Sequence, residues 1–191
     1  MKKRILSLLS LAFIGTTAVA QVSITTPSAP ITYDFTNFSG SNDPTDWTTS
    51  DQNGNSKWEG QGTGTANKGG KYSFGSGNDG SLGFLPSGSR AIYASISFTN
   101  NTGAPITGFD LSYDAEHWRA RLNGRNNGWA VDYQIESNGY VPIPSLTYVA
   151  PNNVPTGGGP HGSTSLSVTI SSIIIDVNET IEIRFFGDNG T

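Results

Sequence analysis

The feature that most constrains the fold of this chain is a strict alternation of apolar and polar side chains, which recurs in four separate segments. These segments are residues 92–99, 129–136, 166–170 and 181–185. A period of two places all the apolar side chains on one face of an extended strand, whereas a helix needs apolar residues three and four positions apart. No stretch after residue 20 keeps that helical spacing over several turns. The chain is therefore expected to be all-β, with strands that bury one face.

Segments rich in glycine and asparagine separate these strands and predict turns. They include NNTGAP at 100–105, ESNGY at 136–140 and TGGGPHG at 156–162, in a chain with 24 Gly and 10 Pro. Short connections favour antiparallel pairing, because parallel pairs need long crossovers. We predict roughly nine or ten strands in an all-β, antiparallel two-sheet sandwich that is jelly-roll-like.

Residues 1–20 predict a secretory signal peptide. A basic start at 2–4 precedes an apolar run at 5–14 and an Ala-Val-Ala end, and such a run is too short for a membrane span, which needs roughly 20 residues. Residues 21–191 are then expected to form a single β-sandwich domain with no membrane span, which passes the periplasm and is secreted to the cell surface or the medium. Because the sequence stops in a turn signal just after a strand, we expect this domain to be truncated at its C-terminal end.

The net charge and the absence of cysteine exclude several classes of partner and of chemical site. The formal net charge is −4 at pH 7, and binding of DNA or RNA needs clustered Lys and Arg to neutralise phosphates. No nucleic-acid partner is therefore expected. The chain contains no cysteine, which excludes disulfides, thiolate metal sites and a cysteine nucleophile.

The segment SYDAEHWRAR at 112–121 carries the densest set of reactive side chains. Alternation places Phe109, Leu111 and Tyr113 on the apolar face of a strand, so we interpret the charges as solvated and assign no catalytic residue. Strict alternation buries the side chains at 117 and 119, whereas a bulge near 115–117 buries the tryptophan instead. The functional alternative is a ligand-binding face formed by Glu116, His117, Trp118, Arg119 and Arg121.

Trp47 completes this candidate site. It lies in the polar segment 39–56, which predicts a long surface loop and an exposed indole. Exposed aromatic faces stack on sugar rings, and most of the other large aromatics are expected in the core. Extracellular glycans are therefore the expected ligand class.

Metal and cofactor sites are weakly indicated. DQNGN at 51–55 alternates oxygen donors as a calcium loop does, but Ser56 and Gly62 stand where an EF-hand needs Gly and Glu. Neither histidine has zinc-ligand spacing, so no cofactor is expected apart from structural calcium. The oxygens for a different type of calcium site could come from Asp43, Asp46, Asp79 and Asp188.

Three segments carry a resemblance to a known module: NKGGKYSFGSGNDGSLGFLPSG, ISFTNNTGAPITGFDLSYDAEHWR and IEIRFFGDNG. They resemble a β-sandwich module of secreted multidomain Bacteroidota proteins, often found beside nuclease or lamin-tail domains and type IX sorting signals. The resemblance spans about residues 31–191. It implies a jelly-roll-like fold, a structural role for the pair 118–119, and a closing strand after the Gly-Asp-x-Gly turn that is absent here.

Three functional hypotheses follow. The first is a secreted, non-catalytic module for binding or surface display, with a glycan as ligand. The second is an accessory N-terminal domain of a secreted hydrolase or nuclease whose catalytic part lies beyond residue 191. The third is a stand-alone glycoside hydrolase that pairs Asp114 or Glu116 with Glu136, since such enzymes use two carboxylates.

Overall fold

The computed structural model describes residues 21–51, 57–66, 68–85, 91–119, 128–151 and 158–188. These residues form strands and one short 3₁₀ turn, Pro144–Leu146, so the predicted all-β class is confirmed. In chain order the strands are β1 Gln21–Ile24, β2 Trp47–Asp51, β3 Trp58–Gly62, β4 Gly70–Ser76, β5 Asp79–Leu85, β6 Ile92–Asn100, β7 Ile106–Glu116, β8 Gly128–Ile135, β9 Val141–Pro142, β10 Tyr148–Val149, β11 Ser163–Ile175 and β12 Thr180–Asp188.

The strands pair into three hydrogen-bonded sheets. The large sheet has the order β1-β6-β12-β8-β10, with β2 also on β6 and β9 also on β8. The ribbon is formed by β7 and β11, and the small sheet by β3, β4 and β5. Most pairs are antiparallel as predicted, but β1 lies parallel to β6 and β3 lies parallel to β4. Strand β6 pairs with β12 on one side. On its other side it pairs with β2 over its first half and with β1 over its last residues.

The main core lies between the large sheet and the ribbon. The apolar positions of the predicted alternation point into it, so the sandwich predicted from periodicity is confirmed. Each fully buried side chain of this kind contributes about 1.5–3 kcal/mol relative to an exposed one. The buried centre consists of Ile96, Val131, Ile143, Leu146, Ile175, Ile181 and Ile183, and the ribbon adds Phe109, Leu111, Tyr113, Leu166, Val168 and Ile170.

A bulge changes the side-chain parity of β11 partway along its length. Ile170 packs on the core, and the next apolar residues to do so are Ile173 and Ile175, one position out of phase. The register with β7 shifts between 171 and 175, and Ser172 has a φ of 63°. Across this irregularity β11 advances four residues while β7 advances two, and beyond it Ile174 points outward and is 63% exposed.

Asn100 joins the end of β6 to the turn that follows β11. It is fully buried, and its Nδ2 donates to the carbonyls of Ile175 at 2.8 Å and Ala104 at 2.9 Å. Its Oδ1 accepts from the backbone N–H and the hydroxyl of Thr102, at 3.1 Å and 2.8 Å. One amide side chain therefore satisfies backbone groups from two turns that the chain separates by about 75 residues.

Aromatic contacts attach the small sheet to the rest of the fold. Phe84 of β5 lies 4.8 Å from Trp129 of β8 between ring centroids, and Phe74 of β4 stacks on Trp118 at 5.9 Å. Such ring pairs add about 0.5–1.5 kcal/mol beyond the area they bury. In the part of the chain that the structure describes, no helix has the length and apolar character needed to cross a membrane.

Candidate functional site

β7 carries the first half of the densest segment of the sequence, residues 112–116. Phe109, Leu111 and Tyr113 face the core, whereas Asp114 points outward and accepts a hydrogen bond from the Ser165 hydroxyl at 2.5 Å. The paired strand ends at Glu116, and its register with β11 holds without a shift up to that residue. Two expectations followed from the sequence for the residues after 116: continued alternation, or a bulge near 115–117. Both are wrong, because the strand pairs regularly up to Glu116 and ends there.

Glu116 and Trp118 bind each other and the small sheet. The indole N–H of Trp118 donates to Glu116 Oε2 at 3.0 Å, and the Ser81 hydroxyl donates to the same oxygen at 3.0 Å. One face of the Trp118 ring stacks on Phe74, with 26° between the ring planes. This arrangement holds the end of β7 against β4 and β5.

His117 contacts the segment that precedes β11. Its Nδ1 shares a hydrogen bond with the Tyr148 hydroxyl at 2.9 Å, and its ring lies 6.0 Å from that of His161. The carbonyl of His117 also accepts from the His161 backbone N–H at 2.9 Å. Burial, and then the neighbouring His161, lower the pKa of His117, which favours the neutral form of this ring.

Arg119 donates to the backbone carbonyl of Ala66, next to the small sheet. Arg121 lies outside the described residues. The described members of this cluster, from Glu116 to Arg119, thus make contacts within the protein that position the end of β7. The ligand-binding role of this cluster, Arg121 included, stays a prediction.

The carboxylates proposed for a glycosidase do not converge. Asp114 and Glu116 belong to the outward row of the ribbon, where Asp114 binds Ser165. Glu136 follows β8 and borders the opposite side of the sandwich, beside outward residues of the large sheet. Since the two catalytic carboxylates must flank one glycosidic bond, this arrangement does not form the expected pair.

Trp47 is not the exposed platform that the sequence predicted. It lies in β2, and its ring contacts Tyr33, Phe35 and Phe185 at centroid distances of 5.8, 5.5 and 5.9 Å. Its indole N–H is buried and has no hydrogen-bond partner in the described structure. The tryptophan packs against the core because β2 extends the large sheet along the open edge of β6.

The aspartates considered for calcium are partly engaged elsewhere. Asp43 accepts from the Thr49 backbone N–H at 2.9 Å and from the Trp58 indole at 2.8 Å. Burial alone would raise the pKa of Asp43, but a hydrogen bond from the Thr49 hydroxyl, these two bonds and the charge of Lys71 hold it below its usual value. Asp46 accepts from the Tyr33 hydroxyl at 2.9 Å.

The segment 51–55, which alternates oxygen donors but departs from the EF-hand pattern, lies outside the described residues, apart from the backbone of its first residue. The side chain of Asp188 lies outside them as well. Among the side chains that the structure does describe, no three from His, Cys, Asp and Glu gather as ligands for a metal ion.

A second candidate site lies on the side of the large sheet that faces away from the ribbon. We call this the outer face. Registers of β6, β8 and β12 align its residues in rows across the three strands. The outer face comprises Tyr93, Ser95 and Ser97 of β6, Ala130, Asp132 and Gln134 of β8, and Glu182, Arg184 and Phe186 of β12.

An ion pair between adjacent strands occupies the centre of the outer face. Arg184 Nε donates to Asp132 Oδ1 at 2.9 Å, and Nη2 donates to Oδ2 at 2.5 Å. Asp132 lies on the side of β8 that faces away from the core, yet it is only 5% exposed. Burial acts to lower the pKa of Arg184, but the hydrogen bonds and charge of Asp132 raise it overall.

Three aromatic rings surround this guanidinium. Its Cζ lies 3.5 Å from the ring centroid of Tyr140, 5.1 Å from that of Tyr93 and 5.6 Å from that of Phe186. The Tyr140 hydroxyl donates to Glu182, and burial together with this carboxylate raises the tyrosine pKa to about 12. Tyr140 nevertheless remains 38% exposed. The outer face thus presents an aromatic ring that is hydrogen-bonded at its hydroxyl and packed on a guanidinium.

An open depression of about 380 Å³ lies beside this aromatic cluster. Its size falls within the range of small-molecule sites, which use a few converging polar groups to orient a ligand. The residues that line it are Gln21, Ser97, Gln134, Glu136, Ser137, Thr180 and Glu182.

Sequence reasoning did not identify the outer face, although a signal was present. Tyr93 and Phe186 occupy polar positions of otherwise clean alternations, which is unusual for residues that face only water.

Comparison of the chain with protein families, with curated proteins and with solved structures finds no match.

Proposed function

We propose that this chain is a secreted, non-catalytic glycan-binding domain whose binding surface is the outer face of the large sheet. One observation carries the proposal: Tyr140, exposed and hydrogen-bonded to Glu182, lies over the Arg184–Asp132 pair and beside a polar depression. A pre-organised aromatic surface next to polar groups can bind without ordering mobile side chains.

The chemistry of a sugar matches this combination of groups. A pyranose ring presents apolar C–H groups on its faces and hydroxyls around its edge. The aromatic ring can stack on the C–H groups of the sugar face. Amide, hydroxyl and carboxylate groups such as those of Gln134 and Glu182 can bind the sugar hydroxyls. The signal peptide predicted at residues 1–20 supports the proposal, because it directs the chain to compartments where polysaccharides are found.

The proposal predicts a large loss of affinity on removal of one ring. Tyr140→Ala is expected to weaken binding of an oligosaccharide at least tenfold, which corresponds to about 1.4 kcal/mol. Tyr140→Phe keeps the stacking surface and is expected to stay within about threefold of the unmodified chain. Isothermal titration calorimetry, on ligands first selected from a glycan array, provides the measurement.

Ile174→Ala is the matched control, because it removes a more exposed apolar side chain from the ribbon, away from the outer face. It is expected to leave affinity unchanged. Retained binding in Tyr140→Ala, or the absence of any glycan ligand from a broad array, would contradict the proposal.

A further inference from the structure

We propose that the open edge of β11 is a self-association site, at which a second copy of this chain adds its own β11 in antiparallel fashion. The ribbon consists of β7 and β11 alone, so the far side of β11 meets no other strand among the described residues. In a paired strand, every second residue turns its N–H and C=O away from the partner. Strand β11, Ser163–Ile175, therefore offers a long row of backbone donors and acceptors to another strand.

Strand β11 lacks the features that protect sheet edges from such pairing. Protected edges are short, or they carry charges, prolines or bulges. The thirteen residues of β11 include no charged residue, no proline and no glycine. The edge strands β9 and β10 of the large sheet have only two residues each, and β9 contains a proline. The bulge in β11 follows Ser171, so the register stays regular over 163–171 and this stretch is open to a partner strand.

The side-chain pattern of β11 fits a second copy of the same strand. A two-fold axis perpendicular to the ribbon places each residue opposite one that is an even number of positions away. Inward apolar residues then face apolar residues, and outward hydroxyls face hydroxyls. The apolar residues are only partly buried in one copy, so pairing would cover them further. The inward residues are Leu166, Val168 and Ile170, and the exposed outward residues are Ser165, Ser167, Thr169 and Ser171.

Charge favours β11 over the other edge of the ribbon. The chain has a net charge of −4, and the exposed outward row of β7 carries Asp110, Asp114 and Glu116. Pairing through β7 would place two such acidic rows on adjacent strands, about 5 Å apart. Pairing through β11 separates the two β7 strands by three strand spacings, about 14 Å, which exceeds the screening length of about 8 Å at physiological salt. The uncharged edge is therefore the one at which two acidic copies can meet.

The expected assembly is a closed dimer. A two-fold pair uses the open β11 edge of both copies, so no further copy can add there. The outer face lies on the side of the large sheet that faces away from the ribbon, so both outer faces stay open in the dimer. Self-association is therefore independent of the proposed glycan binding, and either one can fail without the other.

Sedimentation velocity of the purified chain across the micromolar range is expected to show a monomer–dimer equilibrium. Ser167→Asp places like charges at the paired edges and is expected to weaken the dimer about tenfold. Ser112→Asp is the matched control, because Ser112 lies directly opposite Ser167 on β7 and the same charge then lies one strand away from the contact. Its effect on dimerisation is expected to stay below about threefold. Circular dichroism of both variants checks that they fold.

Crosslinking provides a second readout that does not depend on charge. The chain contains no cysteine, so a single introduced cysteine reports contact between copies directly. Among single cysteines placed in turn at positions 165–170, at least one is expected to form an intermolecular disulfide under mild oxidation, because the residue on the two-fold axis lies beside its own copy. Ser112→Cys, on β7, is expected to remain a monomeric thiol. Mass spectrometry under non-reducing conditions measures both results.

Three outcomes would overturn the self-association site. The first is a monomer at every concentration. The second is equal weakening of the dimer by Ser167→Asp and Ser112→Asp, or equal crosslinking of Ser112→Cys and the β11 cysteines, because the contact would then not be specific to the β11 edge. The third is a dimer that is lost in Tyr140→Ala but kept in Ser167→Asp, which would place the contact on the outer face.

Discussion

Asn100→Asp is expected to destabilise the fold by about 3–5 kcal/mol at neutral pH, which is among the largest losses that one isosteric change can cause. The wild-type amide donates to the carbonyls of Ile175 and Ala104 in a fully buried site. A carboxylate of the same shape would place an oxygen against those carbonyl oxygens and would add an uncompensated buried charge.

The loss in Asn100→Asp is expected to depend on pH in a definite direction. Burial beside carbonyl dipoles raises the folded-state pKa of the new carboxyl above its unfolded value of about 3.9. The protonated form can donate one of the lost hydrogen bonds, so stability is partly recovered as the pH falls and is lost as the pH rises through the folded-state value. Urea denaturation at about pH 7 and about pH 4.5 measures both effects.

Asn101→Asp provides the control, because Asn101 is the adjacent amide and is exposed. Its substitution is expected to cost less than about 1 kcal/mol at either pH. An Asn100→Asp variant as stable as this control would show that Asn100 does not join the two turns as described.

Trp47→Ala is expected to cost about 3 kcal/mol, the lower end of the range for deleting a large aromatic, because the ring is only partly buried. Its ring packs on Tyr33, Phe35 and Phe185. Trp47→Phe is expected to cost only about 1 kcal/mol, since it removes part of the ring together with a buried N–H that lacks a partner. Denaturant midpoints of the two variants measure the difference.

A loss for Trp47→Phe as large as that for Trp47→Ala would mean that the indole N–H makes an essential hydrogen bond. Binding provides a second readout. Because the ring faces the core, Trp47→Phe is expected to keep the glycan affinity of the wild type, whereas a platform tryptophan would lose much of it on the same change.

Local periodicity was sufficient to predict the strands that form the main core. Ile181, Ile183 and Phe185 lie on one face of β12 because the side-chain period of a strand is two, whatever its partners. The same reasoning placed Phe109, Leu111 and Tyr113 in the core. These positions need no knowledge of distant contacts, so the sequence alone was enough to identify them.

Long-range pairing explains the principal error. Segment 39–56 has the composition of a loop, yet residues 47–51 form β2 through pairing with β6, more than 40 positions away. Nothing local to Trp47 reports that pairing. Composition therefore predicted an exposed indole where tertiary structure buries one.

The outer face was missed for a related reason. Tyr140 reaches Arg184 because the chain turns back after β8, where Glu136 has a φ of 51° and Gly139 a φ of 87°. The sequence ESNGY predicts a turn but not the direction in which its last residue leaves. Alternation is enough to place Asp132 and Arg184 on the same side of the sheet. Whether the Tyr140 ring covers them depends on the direction in which the chain leaves the turn after β8.

The most direct test of the central claim, that the outer face binds glycans, is a map of backbone amide chemical shifts during titration with the best array ligand. The account predicts that the largest shifts occur in β6, β8 and β12 and at Tyr140, with little change near Trp118. Shifts concentrated around residues 116–119 and on β4 would contradict it, and would place the ligand at the end of β7 instead.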